Sequence, residues 1–151
     1  MKIKVEIVES LTETEIVIRC HEMNDEVQKI MDGLKEKKVD FIIAKKEEMQ
    51  HILRLKDILY FRSEASSVMA RTIDGIFEIK EKLYELEDAL PKNSFIRLSK
   101  SVIANLNMLT KFEAYFNGTL CVHFKNGEKE YVSRHYVGKI KDVLQLKRRK
   151  Y

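Results

Sequence analysis

The sequence contains few of the residues that cross-link or interrupt a chain. Its 151 residues include one proline, no tryptophan and two cysteines. Cys20 and Cys121 lie far apart and match no C-x-x-C spacing, so they predict two free thiols and a reducing compartment. No apolar run approaches the roughly 18 residues that a membrane-spanning helix needs, and the N-terminus has no apolar signal segment. These absences favour a protein of the cytoplasm.

Motifs that hold phosphate, metal or a catalytic nucleophile are also missing. The chain has no G-x-G-x-x-G, P-loop, H-E-x-x-H or G-x-S-x-G pattern. Cys121 and His123 could offer two metal ligands on one strand face, but the expected hairpin sets His123 against Glu130, which favours an exposed charge pair. In Cys20-His21 adjacent strand residues point to opposite faces, so this pair is weaker still. The sequence therefore predicts no enzyme, no cofactor and no metal site.

The net charge of +4 is unevenly distributed along the chain. Residues 1–48 contain nine basic and twelve acidic residues, a net charge of −3. Residues 125–151 contain nine basic and three acidic residues, a net charge of +6. A basic end on a small chain suggests a polyanionic partner, although a solvated surface has the same composition.

Residues 1–45 predict a small ββαβ unit. Residues 2–8 and 14–19 carry alternating or continuous apolar residues and predict two strands. Apolar residues then recur at helical spacing, with Asn24 as the predicted N-cap, and residues 39–44 predict a third strand. Because short strands in such a unit would leave open edges, the unit favours dimerisation.

Two tight hairpins are predicted in the rest of the chain. Asp74-Gly75 is a two-residue turn signature, and its expected register places Arg71 opposite Glu78. Asn126-Gly127 is a second such signature, and its expected register places Lys125 opposite Glu128. These turns indicate an antiparallel, mainly β domain.

The remaining predicted helices are short and lie singly between strands. One covers about residues 81–90 and is stopped by Pro91. The last covers about residues 136–146 and is followed by a basic tail at 147–151. Because no two helices follow each other directly, the sequence does not predict a helix-turn-helix reader of DNA.

The most specific stretches are residues 95–106 (FIRLSKSVIANL) and 131–136 (YVSRHY). Together with residues 57–61 (DILYF) and Leu90-Pro91, they fall in the order and spacing of the LytTR family of bacterial response-regulator DNA-binding domains. The chain resembles that family over about residues 48–146. The resemblance implies a mainly β fold with short helices (α+β), an elongated stack of small antiparallel sheets, here preceded by the ββαβ unit.

The resemblance also implies that loops between strands enter successive major grooves of DNA. Ser66 and Ser67 fall in the loop before the domain's second strand, and Lys100 occupies the polar position before the serine of the first block. Arg134 and His135 fall in the turn ahead of the last helix. Some family members have His, Asn and Arg where this chain has Ser67, Lys100 and His135, so the family's base preference is not carried over.

The residue types agree with this assignment. Ser101 and Ser133 can cap short helices, whose N-terminal N–H groups favour phosphate. Arg134 is the strongest candidate for reading guanine, because its fork of donors matches O6 and N7. Lys139 adds positive charge one turn into the last helix. These residues complete the predicted DNA-binding set.

Arg97 and Asn105 have a different expected role, because they are set among apolar residues. They would satisfy backbone groups and hold the loop between them. For Arg97 a phosphate contact is an equally open alternative.

The sequence thus predicts a sequence-specific, DNA-binding transcriptional regulator without a receiver domain. Residues 1–45 are too few for a receiver and contain no paired aspartates. Double-stranded DNA, a second copy of the chain and a restraining membrane protein are the predicted partners, the last because LytTR proteins without receivers are often paired with one. Two other functions remain compatible with the sequence: a protein-interaction module that has lost DNA binding, and a small-molecule sensor with an apolar pocket.

Overall fold

The computed structural model describes residues 1–35 and 40–149. The chain divides into two compact units, residues 1–37 and 38–151. None of the described helices is both long and apolar enough to cross a membrane. The helices are α1 (Asp25–Lys35), α2 (Leu83–Ala89) and α3 (Arg134–Arg149). The strands are β1 (Phe41–Lys46), β2 (Met49–Arg54), β3 (Ile58–Glu64), β4 (Ser67–Thr72), β5 (Gly75–Ile79), β6 (Phe95–Arg97), β7 (Val102–Asn105), β8 (Leu109–Ala114), β9 (Leu120–Phe124) and β10 (Lys129–Val132).

The N-terminal unit contains one helix and, among its described residues, no strand. Asn24 caps α1 as the sequence predicts, because its Oδ1 accepts a hydrogen bond from Val27 N at 3.0 Å. Residues 2–8 and 14–19 do not form the two predicted strands, so the ββαβ arrangement is not formed. Alternating apolar residues supply one face of a strand, but the strand itself also needs a hydrogen-bonded neighbour.

The third strand of that predicted arrangement belongs to the second unit. β1 pairs antiparallel with both β2 and β5. Its inward side chains, Ile42 and Ala44, are 8% and 2% exposed and lie in the main core. The boundary between the units therefore lies near residue 38 rather than at the predicted residue 45.

The larger sheet of the second unit has seven strands in the order β2-β1-β5-β4-β3-β7-β6. Burial alternates along β4, as expected for a strand with one face on a core. Helix α2 contributes Leu83 and Leu86 to the same core as Phe61 and Phe95. Pro91 follows soon after α2 and is consistent with the predicted stop.

The smaller sheet has three strands in the order β10-β9-β8. Val122 and Val132 of this sheet are fully buried and share a second core with Ile140 of α3. Helix α3 is longer than predicted at both ends. Residues 147–149 of the predicted tail are helical, whereas residues 150–151 lie outside the described residues.

The β4–β5 hairpin has a different register from the predicted one. Thr72 pairs with Gly75, so the loop is formed by residues 73–74 rather than 74–75. Arg71 consequently faces Ile76 and not Glu78. Gly75 has φ +154°, a backbone conformation that L side chains rarely adopt, which explains why glycine occupies the first position of β5.

In the β9–β10 hairpin the register differs from the predicted one by a single residue. Phe124 N donates to Glu128 O at 2.8 Å, which leaves a loop of three residues. Gly127, at φ +89°, supplies the left-handed residue that such a loop uses. Lys125 therefore does not face Glu128, and His123 faces Lys129 rather than Glu130. The predicted register was wrong because Asn-Gly was assigned to a two-residue loop.

Candidate nucleic-acid interface

The loop at residues 98–101 is held from within by Arg97. Its Nε donates to Ser99 O at 2.7 Å and its Nη2 to Lys100 O at 2.6 Å. Its Nη1 donates to the Glu87 carboxylate at 2.8 Å. With these bonds the guanidinium occupies the loop-holding role, one of the two roles expected from the sequence.

Lys100 and Ser101 project from this held loop into solvent. Ser101 does not cap a helix as predicted, because residues 102–105 form strand β7. Its carbonyl oxygen instead accepts from Ser63 N at 2.8 Å, and its N donates to Ser99 Oγ at 3.2 Å. The loop is thus attached to the end of β3.

The turn between β3 and β4 lies next to this attachment point in the chain. Ser66 is exposed in the turn, and Ser67 is half-buried opposite Glu64 at the start of β4. Ala65 has φ +52°, in the left-handed region that non-glycine residues seldom occupy. The strained turn directs the two predicted contact serines to the same end of the sheet as Lys100.

The start of α3 is attached to the same loop from the other direction. Ser133 N donates to Leu98 O at 3.0 Å. Ser133 O accepts from Tyr136 N at 2.9 Å, so Ser133 lies at the N-cap position that the sequence predicts. Arg134 and His135 follow it, and both are exposed. Backbone bonds therefore join all three predicted contact regions at one end of the large sheet.

Two further residues shape this end of the molecule. Lys139 is exposed on α3 four residues after His135, so the two side chains share a helix face. Gly118 lies against the Arg134 stem, and a Cβ there would be 3.6 Å from Arg134 Cδ. The sequence motif gave no signal for Gly118.

Asn105 holds the other end of the 98–105 block. It is 1% exposed, and its Nδ2 donates to Ile58 O at 2.8 Å and to Leu55 O at 3.3 Å. Its Oδ1 accepts from Asn107 N at 3.0 Å. The expectation that Asn105 satisfies backbone groups is confirmed.

A cluster of polar side chains around the Glu128 carboxylate attaches the β9–β10 hairpin to the large sheet. Glu128 accepts from Tyr60 Oη at 2.7 Å and from Arg71 Nε at 2.6 Å, and also from the Asn126 amide. Burial, together with the hydrogen bond to Glu128, raises the pKa of Tyr60 to about 12. Burial alone would raise the pKa of Glu128, but its bonds to Arg71, Tyr60 and Asn126 lower it below its ordinary value.

A second ion pair lies beside this cluster. Arg62 on β3 contacts Glu130 on β10, and the Glu130 side chain is only 12% exposed. We call the Glu128 cluster and the Arg62–Glu130 ion pair the two clamps. Because β10 leads directly into Ser133, the two clamps fix where α3 begins relative to the 98–101 loop. Sequence reasoning missed them because Tyr60 and Glu128 are 68 positions apart.

Comparison with known proteins agrees with this geometry. Residues 48–145 match the family model described as the LytTr DNA-binding domain. Uncharacterized HTH-type transcriptional regulators of Staphylococcus aureus strains NCTC 8325 / PS 47 and MRSA252 are each 33% identical over 147 residues, which cover 97% of this chain and 99% of the relative. Despite that name, the described helices of this chain are each separated by strands.

A solved structure shows the same fold. It is the LytTr DNA-binding domain of a response regulator from Bacillus cereus, with a TM-score of 0.68 and 24% identity. It covers 70% of this chain, and 97% of its own length is covered. The family match and the relatives together show that this chain belongs to the LytTR family of DNA-binding domains and is a DNA-binding transcriptional regulator.

Proposed function

We propose that the protein binds double-stranded DNA sequence-specifically through the three joined regions at one end of its large sheet. The proposed contact residues are Ser66, Ser67, Lys100, Arg134 and His135. The observation that carries the proposal is the pair of backbone bonds to the 98–101 loop, from Ser63 N and from Ser133 N. Because these bonds set the spacing of three exposed polar segments, the segments can enter neighbouring grooves as one rigid set.

The residues of this end divide into readers and supports. Arg134 reads bases, and Lys100 and Lys139 neutralise phosphates. Arg97 supports the loop that carries Lys100 through its guanidinium, and Ser101 supports it through its backbone N–H and carbonyl, which are bonded within the chain. Ser133 directs the first N–H groups of α3 at a phosphate, which the positive end of a helix favours. The proposed function is binding without a chemical step.

The decisive experiment measures duplex affinity as a function of salt for Lys100→Ala and for a matched control. Arg54→Ala removes an exposed charge at the opposite end of the sheet, where Arg54 faces Phe41 across the β1–β2 ladder. Each phosphate contact contributes about −0.9 to the slope of log K against log salt. We expect Lys100→Ala to reduce that slope by about one contact and Arg54→Ala to leave it unchanged. Equal slopes for Lys100→Ala and wild type would contradict the proposed interface.

We also propose that the N-terminal unit joins two copies of the chain. Ile3, Val5 and Ile7 are 86%, 83% and 91% exposed, at alternate positions of a stretch, residues 1–8, that forms neither helix nor strand. A stretch with a regular apolar face and no strand partner gains most by pairing with an identical stretch, because register and apolar face then match. The relatives support a shared role for this region, since their similarity covers 97% of the chain.

The dimer is tested in the full chain by sedimentation equilibrium. Val5→Asp with Ile7→Asp places charge on the apolar face, and we expect it to weaken self-association strongly. The control, Lys4→Ser with Glu6→Ser, changes the intervening positions and removes their 2.8 Å ion pair. Equal self-association of both double variants would show that the apolar face is not the contact.

The proposed setting is the cytoplasm, where DNA is reached and where free thiols persist. A restraining membrane-protein partner stays a prediction and would be sought by cross-linking in membranes. A protein-interaction module without DNA binding, or a small-molecule sensor, is not favoured by the family match.

A further inference from the structure

Three potential metal ligands, none of them among the proposed DNA contacts, meet on one face of the small sheet. The register places Glu113 on β8 directly opposite Cys121 on β9, and His123 follows two residues later on the same face. The ligand atoms of all three residues lie within 4.8 Å of one another. We propose that Glu113, Cys121 and His123 bind a zinc ion.

The corrected hairpin register removes the reason for discounting this cluster. The sequence predicted that His123 would face Glu130 and form an exposed charge pair. Instead Glu130 faces Val122, on the other side of the strand, and contacts Arg62. His123 is left beside the thiol and the carboxylate, and its Nε2 is the atom that approaches both.

Two of the three ligand–ligand distances are close to those of a tetrahedral site. With ordinary zinc–ligand bond lengths, two corners of a tetrahedron are about 3.6 Å apart for sulfur and nitrogen and about 3.4 Å for nitrogen and oxygen. The Cys121 Sγ to His123 Nε2 distance is 3.9 Å, and the His123 Nε2 to Glu113 Oε1 distance is 3.2 Å. An ion can therefore be placed between the three atoms with small rotations of side chains on paired strands.

The ligand set and its surroundings select zinc over harder ions. A thiolate, an imidazole and a carboxylate form a mixed soft and borderline set that suits zinc, whereas magnesium and calcium prefer oxygen ligands. Cys121 is 1% exposed, and the His123 and Glu113 side chains are 21% and 62% exposed. The three protein ligands occupy three of the four tetrahedral positions, and the solvent-exposed side of the site leaves the fourth position for water. Lys111 and Lys129 both lie opposite His123 on the neighbouring strands, and their positive charges repel any bound cation. This repulsion disfavours ions that do not bind sulfur strongly.

Binding would release the Cys121 thiol proton to solvent and leave the thiolate on the metal. The ion would then link β8 to β9 on the face of the sheet opposite Val122, which packs in the core shared with Ile140 of α3. A zinc ion at this site would act as a clamp on the sheet that carries α3.

The experiment uses the full chain, freed of metal with a chelator and titrated with zinc chloride alone. The rival thiol–imidazole pair, exposed Cys20 with His21, is removed in a control double variant, Cys20→Ser with His21→Gln. We expect one zinc per chain in wild type and in this control. His123→Gln, at a half-buried surface position, should lower the affinity at least 100-fold without disturbing the core.

Two further readouts separate coordination from folding effects. Cobalt substitution should give a sulfur-to-metal charge-transfer band in wild type that Cys121→Ser abolishes, and Glu113→Gln should weaken zinc binding at least 10-fold. Zinc should raise the melting temperature of wild type and not that of His123→Gln, because only binding to the folded chain stabilises it. Unchanged affinity in His123→Gln, loss of binding in the Cys20/His21 control, or no stoichiometric binding would each overturn the proposal.

Discussion

Two regions of this chain carry the same alternating apolar pattern and end in opposite environments. In the N-terminal unit Val5 is 83% exposed, whereas in β4 Val68 is 6% exposed. Both valines lie in stretches that the sequence predicts as strands. The difference is that β4 has β3 and β5 beside it, and the N-terminal stretch has no strand neighbour among the described residues. An alternating pattern specifies which side chains can be buried, but partner strands decide whether they are buried.

Two arginines of the proposed DNA-binding end also differ in whether their side chains have partners within the chain or face solvent. Arg97 donates to two carbonyl oxygens and one carboxylate, and its side chain is 14% exposed. Arg134 is exposed at the start of α3. A guanidinium with filled bonds supports structure, whereas one that faces solvent is free to bind a ligand.

The largest expected effect is that of truncating the chain at the two alternative boundaries between the N-terminal unit and the second unit. A chain beginning at residue 46 lacks all of β1 except Lys46, including Ile42 and Ala44, and it exposes the β2 and β5 edges that β1 covers. We expect this chain to lose its cooperative unfolding transition, because a missing inner strand removes a stabilisation comparable to the roughly 5–15 kcal/mol of a whole domain. A chain beginning at residue 38 should melt like the full protein. Circular dichroism melts of both chains test the boundary, and identical melts would disprove the assignment of β1.

Arg97→Ala is expected to have the next largest effect. It removes two hydrogen bonds to loop carbonyls and the bond to Glu87, so we expect a loss of about 2–3 kcal/mol in the free energy of unfolding. DNA affinity should fall as well, because the loop that carries Lys100 is no longer held. Urea denaturation measures the first effect and duplex titration the second. An unchanged free energy of unfolding would show that the loop does not need its arginine.

Arg134→Ala should affect DNA recognition and leave stability nearly unchanged. A bidentate contact with guanine contributes about 1–3 kcal/mol of discrimination against other bases. We expect the preferred operator to lose roughly 10- to 100-fold in affinity while random duplex loses much less. Competition assays with both duplexes make the measurement. Equal losses on both would reassign Arg134 to a phosphate.

Glu128→Gln should reduce stability in a pH-dependent manner. The folded chain lowers the pKa of Glu128 below its ordinary value of 4.5, so the carboxylate contributes stability above that value and loses it as pH falls through the folded pKa. Because the side chain is 38% exposed, we expect only about 1 kcal/mol at neutral pH. Urea melts from pH 7 to 3 should show a smaller acid-induced loss for Glu128→Gln, and the exposed Glu78→Gln is the control. Parallel pH curves for wild type and Glu128→Gln would refute the clamp.

Local signals predicted more of the fold than long-range ones did. The capped start of α1, the stop near Pro91 and the two loop-carbonyl bonds of Arg97 involve residues a few positions apart. The role of Asn105 was predicted from its apolar neighbours in sequence, although its partners Leu55 and Ile58 are 50 and 47 positions away. Both hairpins were predicted, but each register shifted because one glycine occupied another position in its turn. The N-terminal strands depended on partners that a periodic pattern cannot supply.

The candidate site divides in the same way. The family motifs indicated the three contact regions, and backbone bonds at their ends join them. The clamps that set the position of α3 could not be predicted, because Glu128 and Glu130 meet their partners across dozens of residues. The Cys121 and His123 cluster was discounted only through the mistaken register. Glu113 joins the pair through the separate β8–β9 register, which the β9–β10 turn does not set.

The smallest expected effect is that of Val5→Ser on the free energy of unfolding, which is compared with that of Val68→Ser. Val5→Ser should change the free energy of unfolding of the second unit by less than about 0.5 kcal/mol, because an exposed side chain loses no buried contacts. Val68→Ser removes a buried side chain from the core and should cost about 2–4 kcal/mol. All six tyrosines lie beyond residue 38, so intrinsic tyrosine fluorescence reports the second unit alone during urea denaturation. Measurements at several protein concentrations separate this effect from self-association, since only a dimer contribution varies with concentration. A large, concentration-independent loss in Val5→Ser would show that the N-terminal stretch stabilises the DNA-binding domain directly, and the contrast between the two regions would then be wrong.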